Sequence, residues 1–338
     1  EIPLRLVGSE MCIRDRYTYK IMRGLRKVIM GIQGYEFSHT LPCCNNPEEA
    51  NIQIRNLLEN NKPCMIARYG ATELLCMTNF LGIKNHSNFF KFITGRAPEW
   101  WWTDIVVRNM CQWSGFYPAT PDNLSRFSEM MLEDTKQLDL LGCWDQHESL
   151  YEDRLDGVER VHLRLLEPFW SKKPWTHSLK GKKVLVIHPF TEVIEKQYKR
   201  RNEIFASGLL PDFDLITIKA VQSLGGGEQF QSWFDALDWM KAEIDKHDYD
   251  ICLIGCGAYG FPLAAHVKRL GKKAFHLGGA LQLVFGIRGR RWENPNYGVK
   301  EWGIPYGSYS NLMNDAWVRP GDNLKSKNSQ LVEDNCYW

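Results

Sequence analysis

The stretch that most constrains the fold is residues 249–279, in which an apolar run, a glycine-rich turn and an apolar helical pattern follow one another. Residues 249–254 are rich in side chains that favour a buried strand, and residues 272–277 predict a second strand. Between them, residues 255–260 form a GxGxxG pattern. A β-α-β unit of this kind places a helix N-terminus at the carboxyl edge of a parallel sheet. Since free N–H groups and the helix dipole favour negative charge there, we predict an anion such as a diphosphate as the ligand.

An NAD-type site is a different interpretation of the same turn, and two observations disfavour it. The second strand ends at His276 and is followed by Leu277 and two glycines, without the Asp or Glu that would bind the ribose hydroxyls. The pattern also begins at residue 255 of 338, whereas the dinucleotide fold usually opens with it. We therefore expect no NAD. A turn without any ligand stays an alternative, because a lone GxGxxG is a weak signal.

The composition is that of a folded chain with nearly balanced charge. Of the 338 residues, 44% are hydrophobic and 24% are charged, which is enough to bury a core in one large or two ordinary domains. The 42 basic and 40 acidic residues give a formal charge of +2, which argues against a general nucleic-acid binder.

The ten cysteines occur at irregular spacings without paired CxxC units, which disfavours a structural zinc site and suits a reducing cytoplasm. No apolar run reaches the roughly 18 residues that a spanning helix needs, and the first residues lack the layout of a signal peptide. We therefore expect a cytoplasmic protein, which residues 19–30 could bring to the inner face of the membrane.

The N-terminal 44 residues divide into two segments. Residues 1–16 contain VGSEMCIRDR, which resembles a sequencing or adapter artefact, so we leave them out of the fold prediction. Residues 17–44 form a basic amphipathic segment whose helical pattern covers residues 19–30. This pattern is compatible with contact to an anionic membrane surface or with a helix packed on the main domain.

A second corner of strand, glycine turn and helix lies in the first half of the chain. Residues 63–67 predict a strand, and the turn that follows it contains Arg68 and Gly70. Residues 74–80 predict the next helix. Arg68 could bind a phosphate through two hydrogen bonds, and Glu73 could hold a divalent cation. The alternative is an ordinary surface arginine and glutamate.

Other patterns in the first half bear on the fold and on the ligand. Asn46-Pro47 and Thr120-Pro121 each combine an N-cap residue with proline at the first helical position, which predicts two helix starts. Residues 86–118 are rich in Phe, Trp and Tyr, which suit either the faces of sugars or the core. Residues 140–144 predict another strand.

Strands and helices alternate in the second half, which predicts an α/β, Rossmann-like parallel sheet with helices on both faces. Residues 183–187 and 213–221 predict strands, and residues 228–247 predict a helix. The strands lead to His188, to Gln222 and to the glycine-rich turns, which we place at one carboxyl edge of the sheet. His188 is alternatively a core histidine.

An arginine-rich loop follows the last predicted strand. Residues 280–292 read ALQLVFGIRGRRW, with Arg288, Arg290 and Arg291 around a glycine. Such a loop is suited to closing over phosphates, or it is a solvated surface loop. Residues 319–338 are polar and without period, which predicts a frayed tail.

Several motifs along the chain form a set that is more specific than any one of them. The motifs are RYGATE at 68–73, HPF at 188–190 with Gln197, Tyr198 and Arg201 downstream, and GCGAYG at 255–260 followed by LGGALQ and FGIRGRRW. This set resembles the bacterial glycosyltransferases of the GT-D fold and their GT-D-like relatives. The similarity spans residues 45–318 as a single GT-D-like α/β domain, in halves of about 45–171 and 183–318.

The resemblance implies an enzyme that transfers a sugar from a nucleotide-diphosphate donor, usually a UDP-sugar, to a glycan or a lipid-linked acceptor. It places such a hexosyltransferase in the synthesis of bacterial surface polysaccharide or glycoprotein glycans. Two alternatives remain at this stage. One is a non-catalytic nucleotide-sugar-binding protein of the same pathway, and the other is an NAD- or S-adenosylmethionine-dependent Rossmann enzyme that uses the same turn.

The resemblance also implies a divalent cation, Mn²⁺ or Mg²⁺, near an Arg-Phe-Gly-Asp-Gly-Glu type motif. The positions that match this motif are Arg68, Tyr69, Gly70 and Glu73. Ala71 stands where the first acid is expected, so Glu73 is the remaining ligand of the metal pair. Asp145 and Glu148 are other acids that could take the place of the absent one.

The resulting candidate site combines two proton acceptors with a set of ligand-binding residues. Glu73 and His188 are the candidate catalytic bases. The residues predicted to bind the nucleotide-sugar are Arg68, Tyr69, Gly70, Gln222, Gly255, Gly257, Ala258, Tyr259, Gly260, Gly279, Gln282, Arg288, Arg290 and Arg291. The arginines and the turn at 255–260 would neutralise the charge that grows on the leaving diphosphate.

Overall fold

A single parallel sheet organises the chain. The computed structural model describes residues 13–33, 38–223, 229–321, 324 and 336–338. Its strands are β1 (Cys64–Ala67), β2 (Leu140–Cys143), β3 (Glu159–His162), β4 (Lys183–His188), β5 (Asp214–Lys219), β6 (Ile251–Ile254) and β7 (Lys273–His276). They form one seven-stranded sheet in the order β3-β2-β1-β7-β6-β4-β5, and every pair of neighbouring strands is parallel.

Helices connect the strands and cover the sheet. They are α1 (Ile13–Gln33), α2 (Pro47–Glu59), α3 (Ala71–Lys84), α4 (Phe89–Ile93), α5 (Asp104–Gln112), α6 (Pro121–Thr135), α7 (Thr191–Lys199), α8 (Arg201–Ile204), α9 (Trp233–Ile244), α10 (Gly260–Arg269), α11 (Leu281–Val284), α12 (Arg290–Glu293) and α13 (Val299–Trp302). Short 3-10 helices include Gly257–Tyr259 and Gly278–Ala280, which lie directly before α10 and α11.

The five inner strands are buried on both faces, as expected for a parallel sheet between two layers of helices, whereas the edge strands β3 and β5 are only partly buried. Successive side chains of one strand enter opposite cores, because side chains alternate across a strand. In β6, for example, Ile254 belongs to one core and Leu253 to the other. The predicted fold class, α/β with a Rossmann-like parallel sheet and helices on both faces, is confirmed.

Local sequence signals account for most of the observed boundaries. The Asn46 side chain accepts hydrogen bonds from the N–H groups of Glu48 and Glu49, and the Thr120 hydroxyl accepts one from Asn123. Both predicted helix starts are therefore confirmed. The strand β3 was not predicted, because its sequence Glu-Arg-Val-His is only partly buried and lacks an apolar run.

One prediction in the second half overlaps residues that the structure does not describe. The helix expected over 228–247 is observed as α9, which begins after the capping residue Ser232. Residues 224–228, which include the glycines 225–227, lie outside the described residues.

The sheet joins the two halves of the chain and creates a crevice at its carboxyl edge. The chain leaves β4 toward β5 but leaves β6 in the opposite direction toward β7, so the neighbouring strands β4 and β6 flank a crevice. In open α/β sheets, ligands bind at such points. The two halves pair through β1 and β7, whose carboxyl ends lie at the same edge.

The N-terminal helix α1 packs on the aromatic region of the first half. It begins at Ile13, inside the segment that we left out of the fold prediction, and residues 19–30 are helical throughout. Tyr19 stacks on Trp101 with a distance of 4.0 Å between ring centroids. Residues 1–12 lie outside the described residues. In the described ranges, no helix is long and apolar enough to cross a membrane.

The last three residues do not behave as the predicted frayed tail. Cys336 and Trp338 are buried, and Trp338 packs edge to face on Phe190 after β4. The N–H groups of Arg290 and Arg291 donate to carbonyl oxygens of Trp338 and Cys336 at 3.3 and 3.2 Å. Aromatic packing and these bonds hold the residues against the carboxyl edge of the sheet. The tail residues 322–323 and 325–335 lie outside the described residues.

Candidate functional site

A first cavity, with an empty volume of about 850 Å³, opens at the crevice between β4 and β6. The strand ends that flank this crevice supply most of its wall, as the topology requires. Of the residues predicted to form the site, it brings together Arg68, His188, Gln222, Gly255, Gly257, Ala258, Tyr259, Gly279 and Gln282.

At each of positions 255, 257 and 260 of the turn, a different structural constraint favours glycine. A Cβ atom at position 255 would lie 2.8 Å from the Gly278 carbonyl oxygen and 2.8 Å from the His188 ring. Gly257 has a φ of +58° with open space on its Cβ side, so the backbone there is exposed to a ligand. A Cβ atom at position 260 would overlap the His276 ring, so Gly260 lets α10 begin close against β7. The turn thus places the N-terminus of α10 at the first cavity, an arrangement that favours anions.

Arg68 brings a positive charge to the same cavity. It follows β1 directly and is half-buried, and its guanidinium lies over the Trp144 ring, 5.5 Å from the centroid. The Trp144 Nε1–H donates to the Tyr69 carbonyl at 3.2 Å, which holds the ring in place. Within the described part of the chain, Arg68 has no hydrogen-bond or ion-pair partner. An oriented guanidinium without a counter-ion is suited to binding a phosphate.

Glu148 is an acid close enough to interact electrostatically with Arg68, but it does not neutralise the arginine near neutral pH. The residue is fully buried, and burial raises the pKa of its carboxyl group to about 8. This happens although the Trp144 N–H donates to the Glu148 carboxyl at 3.1 Å. The carboxyl group is therefore mostly protonated at pH 7, and Arg68 keeps its charge for a ligand.

His188 lines the first cavity as a neutral imidazole. Its Nδ1 accepts a hydrogen bond from the Phe190 N–H at 3.0 Å, and burial lowers the pKa of the ring to about 3. A neutral ring whose Nδ1 is an acceptor carries its proton on Nε2. This geometry favours His188 as a hydrogen-bond donor at the cavity wall over the predicted role of base.

A second cavity, with an empty volume of about 500 Å³, lies beside the junction of β1 and β7. Arg68, Gly279 and Tyr337 line both cavities. A Cβ atom at position 279 would overlap the Tyr337 ring, so the glycine lets this ring lie flat against the backbone. Gln282 donates to the Tyr337 carbonyl at 3.2 Å and fixes the residue further. Arg68 and Tyr337 therefore form the boundary where the two cavities meet.

The arginine loop does not converge on the first cavity as predicted. Arg288 donates from Nε and Nη2 to the Trp317 carbonyl at 3.2 and 2.6 Å, and its backbone N–H donates to Val318. Among the described lining residues, neither Arg288 nor Arg290 borders either cavity. Arg291 lines the second cavity instead. Sequence gave no sign that carbonyl groups 29 residues downstream would bind the Arg288 side chain.

Three residues of the RYGATE motif serve the fold around Arg68. The Tyr69 hydroxyl lies 2.7 Å from the Thr135 hydroxyl, and the Tyr69 ring stacks on Phe261 inside the core. Gly70 is the N-cap of α3, and the buried Glu73 carboxylate lies against its Cα, where a Cβ atom would overlap it. Of the described residues that line the two cavities, none is Tyr69, Gly70 or Glu73.

The divalent cation that the motif resemblance implies does not fit the acids present. Glu73 is folded back on Gly70, and Asp145 accepts a hydrogen bond from the His147 N–H at 2.8 Å. Glu148 is buried and mostly protonated near neutral pH. No group of three or more His, Cys, Asp or Glu in the described ranges is arranged to hold a metal ion.

Sequence reasoning missed the aromatic residues that complete the site. Trp144 follows β2 directly, so the strand-end rule that found Arg68 and His188 could have found it as well. Tyr337 and Trp338 carried no signal except their aromatic character in a polar tail. The aromatic stretch 86–118 has mixed roles, since Trp113 lines the first cavity whereas Phe116 lies in the core.

Comparison with known proteins does not assign the chain to a family. No family model, no curated protein and no solved structure matches it. A function is therefore inferred below from the geometry of the two cavities and from the motif resemblance.

Proposed function

We propose that the protein is a glycosyltransferase that binds a nucleoside-diphosphate sugar at the carboxyl edge of its sheet. The observation that carries this proposal is Arg68, a half-buried guanidinium that lies at the boundary of two cavities and has no counter-ion among the described residues. The glycine turn lines the first cavity as well, through residues 255–259 directly before α10. A diphosphate between them would receive charge-assisted hydrogen bonds from Arg68 and hydrogen bonds from backbone N–H groups.

Transfer of a sugar requires that the leaving diphosphate be stabilised. The oxygen of an acceptor hydroxyl forms a bond to the anomeric carbon while the bond from that carbon to the diphosphate oxygen breaks, and the hydroxyl proton passes to a base. Negative charge then grows on the diphosphate, where fixed positive charge and N–H dipoles lower the barrier. Arg68 and the turn at 255–260 supply both. The Nε2–H of His188 is a further donor in the same cavity.

The base for the acceptor hydroxyl stays a prediction. Glu73 was the sequence-based candidate, and it lies buried at the start of α3, immediately beyond the Arg68 corner. UDP as the nucleotide, a glycan or lipid-linked acceptor, and a cytoplasmic role in bacterial polysaccharide or glycoprotein glycan synthesis rest on the motif resemblance.

A non-catalytic nucleotide-sugar-binding protein is the second candidate. The observation that favours it is the set of acids near Arg68, which do not fit the metal site implied by the motif. A dinucleotide enzyme has less support, since β7 is followed by Leu277 and two glycines where an acid would bind the ribose.

A thermal-shift screen with UDP, UDP-sugars, NAD and S-adenosylmethionine tests the proposal first. A ligand that binds the native state raises the melting temperature by mass action. We expect UDP and at least one UDP-sugar to raise it, and the Arg68→Gln variant to lose the shift. A product assay with the UDP-sugar that binds then separates the two candidates: release of UDP supports the enzyme, and binding without turnover supports the binding protein. A shift with NAD or S-adenosylmethionine alone would contradict both.

A further inference from the structure

The second cavity has a composition that differs from the first. Four aromatic side chains, one carboxyl group and two guanidinium groups line it. The aromatic residues are Trp292, Tyr297, Trp302 and Tyr337, and the ionisable ones are Glu167, Arg291 and Arg68. Flat aromatic faces surrounded by hydrogen-bond donors and acceptors suit a sugar ring, which has an apolar face and carries hydroxyl groups.

The aromatic wall is held in place by the backbone. Trp302 ends α13, which lies between Gly298 and Gly303, both in the left-handed region with φ of +78° and +63°. A Cβ atom at position 298 would lie 2.7 Å from the Trp302 ring, so only glycine lets this ring take its place. Tyr297 then packs edge to face on Trp302 with 5.3 Å between the ring centroids. The wall is therefore built by a specific backbone conformation.

Glu167 is fixed in a similar way. Its carboxyl group accepts hydrogen bonds from the Tyr309 hydroxyl at 2.8 Å and from the Trp170 indole N–H at 3.0 Å. Burial raises the pKa of this carboxyl group to about 7, so both of its protonation states are populated near neutral pH. Both donors are neutral, so the carboxyl group has no cationic partner in a direct hydrogen bond among the described residues. A carboxyl oxygen has more than one acceptor position, so Glu167 can accept a further hydrogen bond from a ligand hydroxyl.

Arg291 also lines the second cavity. Its guanidinium lies over the rings of Tyr297 and Tyr337, 5.9 and 5.1 Å from their centroids. Two arginines at one small cavity disfavour a cationic ligand, although an aromatic cage alone would suit one. A neutral ligand that can both accept and donate hydrogen bonds fits this set of groups.

We propose that the second cavity is a pyranose subsite, in which a sugar ring packs on Trp302 and Tyr297 and bonds through its hydroxyls to Glu167 and Arg291. This inference rests on the proposed function in one respect: the sugar is taken to be linked to a diphosphate that binds at Arg68. The nucleoside would then lie in the first cavity, on the other side of Arg68 and Tyr337, which line both cavities. The sugar is either that of the donor or that of the acceptor, since both present the same ring chemistry.

Calorimetric titration with UDP and with three UDP-hexoses, together with ligand-observed NMR of the corresponding methyl glycosides, tests the subsite. The variants are Trp302→Ala and Arg291→Met, with Phe90→Ala as a control that removes an exposed aromatic ring elsewhere. We expect both variants to bind UDP within about twofold of the wild type and to bind a sugar-bearing ligand at least about tenfold more weakly. Weaker binding of a UDP-hexose assigns the cavity to the donor sugar, and weaker binding of a glycoside alone assigns it to the acceptor.

Other outcomes separate the subsite from the proposed function. If UDP binds and no sugar-bearing ligand distinguishes the variants from the wild type, the subsite is wrong and the nucleotide site stands. If the variants weaken UDP itself as much as a UDP-hexose, the cavity holds the base and not the sugar. If UDP does not bind but a glycoside does and is lost in Trp302→Ala, the proposed function fails while the subsite is supported. Absence of binding by every ligand would overturn both.

A different observation, on the outer face of α1, carries a second inference. Its side chains at 21, 25, 28 and 32 follow the spacing of one helix face, and all four are large, aliphatic and exposed. Ile21, Val28 and Ile32 are 71%, 61% and 80% exposed. The opposite face, with Met22, packs on Phe92 and Trp101. The helix thus has one apolar face on the protein and a second apolar face toward solvent.

The charges of α1 decide what covers this second face. Residues 18–33 contain four basic residues and no acid, and Lys20 and Lys27 are exposed beside the apolar stripe. A second copy of the chain would bring these lysines toward each other in a symmetric contact, which costs free energy. An anionic lipid surface accepts both the aliphatic side chains and the positive charge. We infer that α1 lies on an anionic membrane through Ile21, Leu25, Val28 and Ile32.

Sedimentation with vesicles tests this contact in the full chain. We compare vesicles of phosphatidylcholine alone with vesicles that contain 30% phosphatidylglycerol, a composition of roughly biological surface charge. The wild type is expected to bind the anionic vesicles and to lose binding as salt is added. Val28→Ser with Ile32→Ser should weaken binding by at least about tenfold, and Ile105→Ser, an exposed isoleucine on α5, should not. No binding by the wild type, equal binding by the double variant, or a dimer that the double variant dissociates would each overturn the inference.

Discussion

The Arg68 corner and the loop at 288–291 both bring arginines toward the carboxyl edge of the sheet, but only the corner leaves its guanidinium available to the first cavity. Arg68 follows a buried strand, lies on the Trp144 ring and has no counter-ion in the described part of the chain. Arg288 is bound to backbone carbonyls at 314 and 317. Sequence composition favoured the loop, which has three arginines in four residues. The carbonyl groups within reach decide which arginine can bind a ligand.

The largest expected effect is that of Arg68→Gln. Hydrogen bonds to charged groups contribute about 1.5–3 kcal/mol each, so loss of a bidentate contact to a diphosphate should weaken UDP binding by at least about a hundredfold. The free energy of unfolding should change little, because Arg68 has no hydrogen-bond or ion-pair partner to lose among the described residues and its contact with the Trp144 ring contributes only about 0.5–1 kcal/mol. Isothermal titration with UDP and urea denaturation measure the two quantities. Arg68→Lys is the matched control and should recover part of the affinity, since it keeps the charge but not the planar fork.

The next effect is a dependence on pH that Glu148 imposes on Arg68. The pKa of this carboxyl group is raised from 4.5 to about 8 in the folded state, so it gains its charge as the pH rises from 7 to 9. A charged Glu148 competes with the diphosphate for Arg68, and UDP affinity should fall by up to about tenfold over this interval. Glu148→Gln should remove the fall. Equal pH profiles of the two proteins between pH 7 and 9 would show that Glu148 does not act on Arg68.

The raised pKa of Glu148 also predicts how the free energy of unfolding changes with pH. Between pH 4.5 and 8 the folded protein holds a proton on Glu148 that the unfolded chain releases. The free energy of unfolding should therefore fall as the pH rises through this window. Urea denaturation of the wild type and of Glu148→Gln at several pH values measures the difference, which should grow in favour of the variant up to about pH 8.

Trp144 tests whether the aromatic ring positions Arg68. An exposed cation–π contact contributes about 0.5–1 kcal/mol, so Trp144→Leu should weaken UDP binding by about two- to fivefold. Trp144→Phe keeps a ring under the guanidinium and should lose less. Identical affinities of the Leu variant and the wild type would mean that Arg68 is oriented by other contacts.

The smallest expected effect on binding is that of Arg288→Ala. UDP affinity should stay within about twofold of the wild type, because its donors are bound to protein carbonyls. The cost should appear in the free energy of unfolding, at about 1–3 kcal/mol for carbonyl groups left without donors. A loss of UDP affinity as large as that of Arg68→Gln would show that the arginine loop binds UDP as strongly as the Arg68 corner does, which contradicts the account.

Strand ends explain how much of the site the sequence could predict. Arg68, His188, Gln222 and the turn at 255–260 were found because each follows a buried apolar run, and parallel strands bring such positions to one edge. The fold class followed from the same alternation of strands and helices. The pairing of β1 with β7, which joins the halves and sets Arg68 beside Gly278, is a long-range contact that local patterns do not encode.

Other features could not be predicted for a different reason. Tyr69 and Glu73 belong to the same motif as Arg68, yet one enters the core and the other folds back on Gly70. Whether a motif residue faces the ligand or the interior depends on the turn that follows the strand, which the motif alone does not reveal. The end of the chain returns to the site through Tyr337 and Trp338, and a polar tail gives no periodic pattern that would indicate such a contact.

A crystal structure of the protein with UDP tests the central claim most directly. We predict a diphosphate oxygen within about 2.7–3.2 Å of the Arg68 guanidinium and another at hydrogen-bond distance from a backbone N–H at Gly257 or Ala258. The nucleoside should fill the first cavity beside His188 and Gln222. A diphosphate bound at the arginine loop, or a nucleotide elsewhere on the molecule, would contradict the assignment of the Arg68 corner as the anion site.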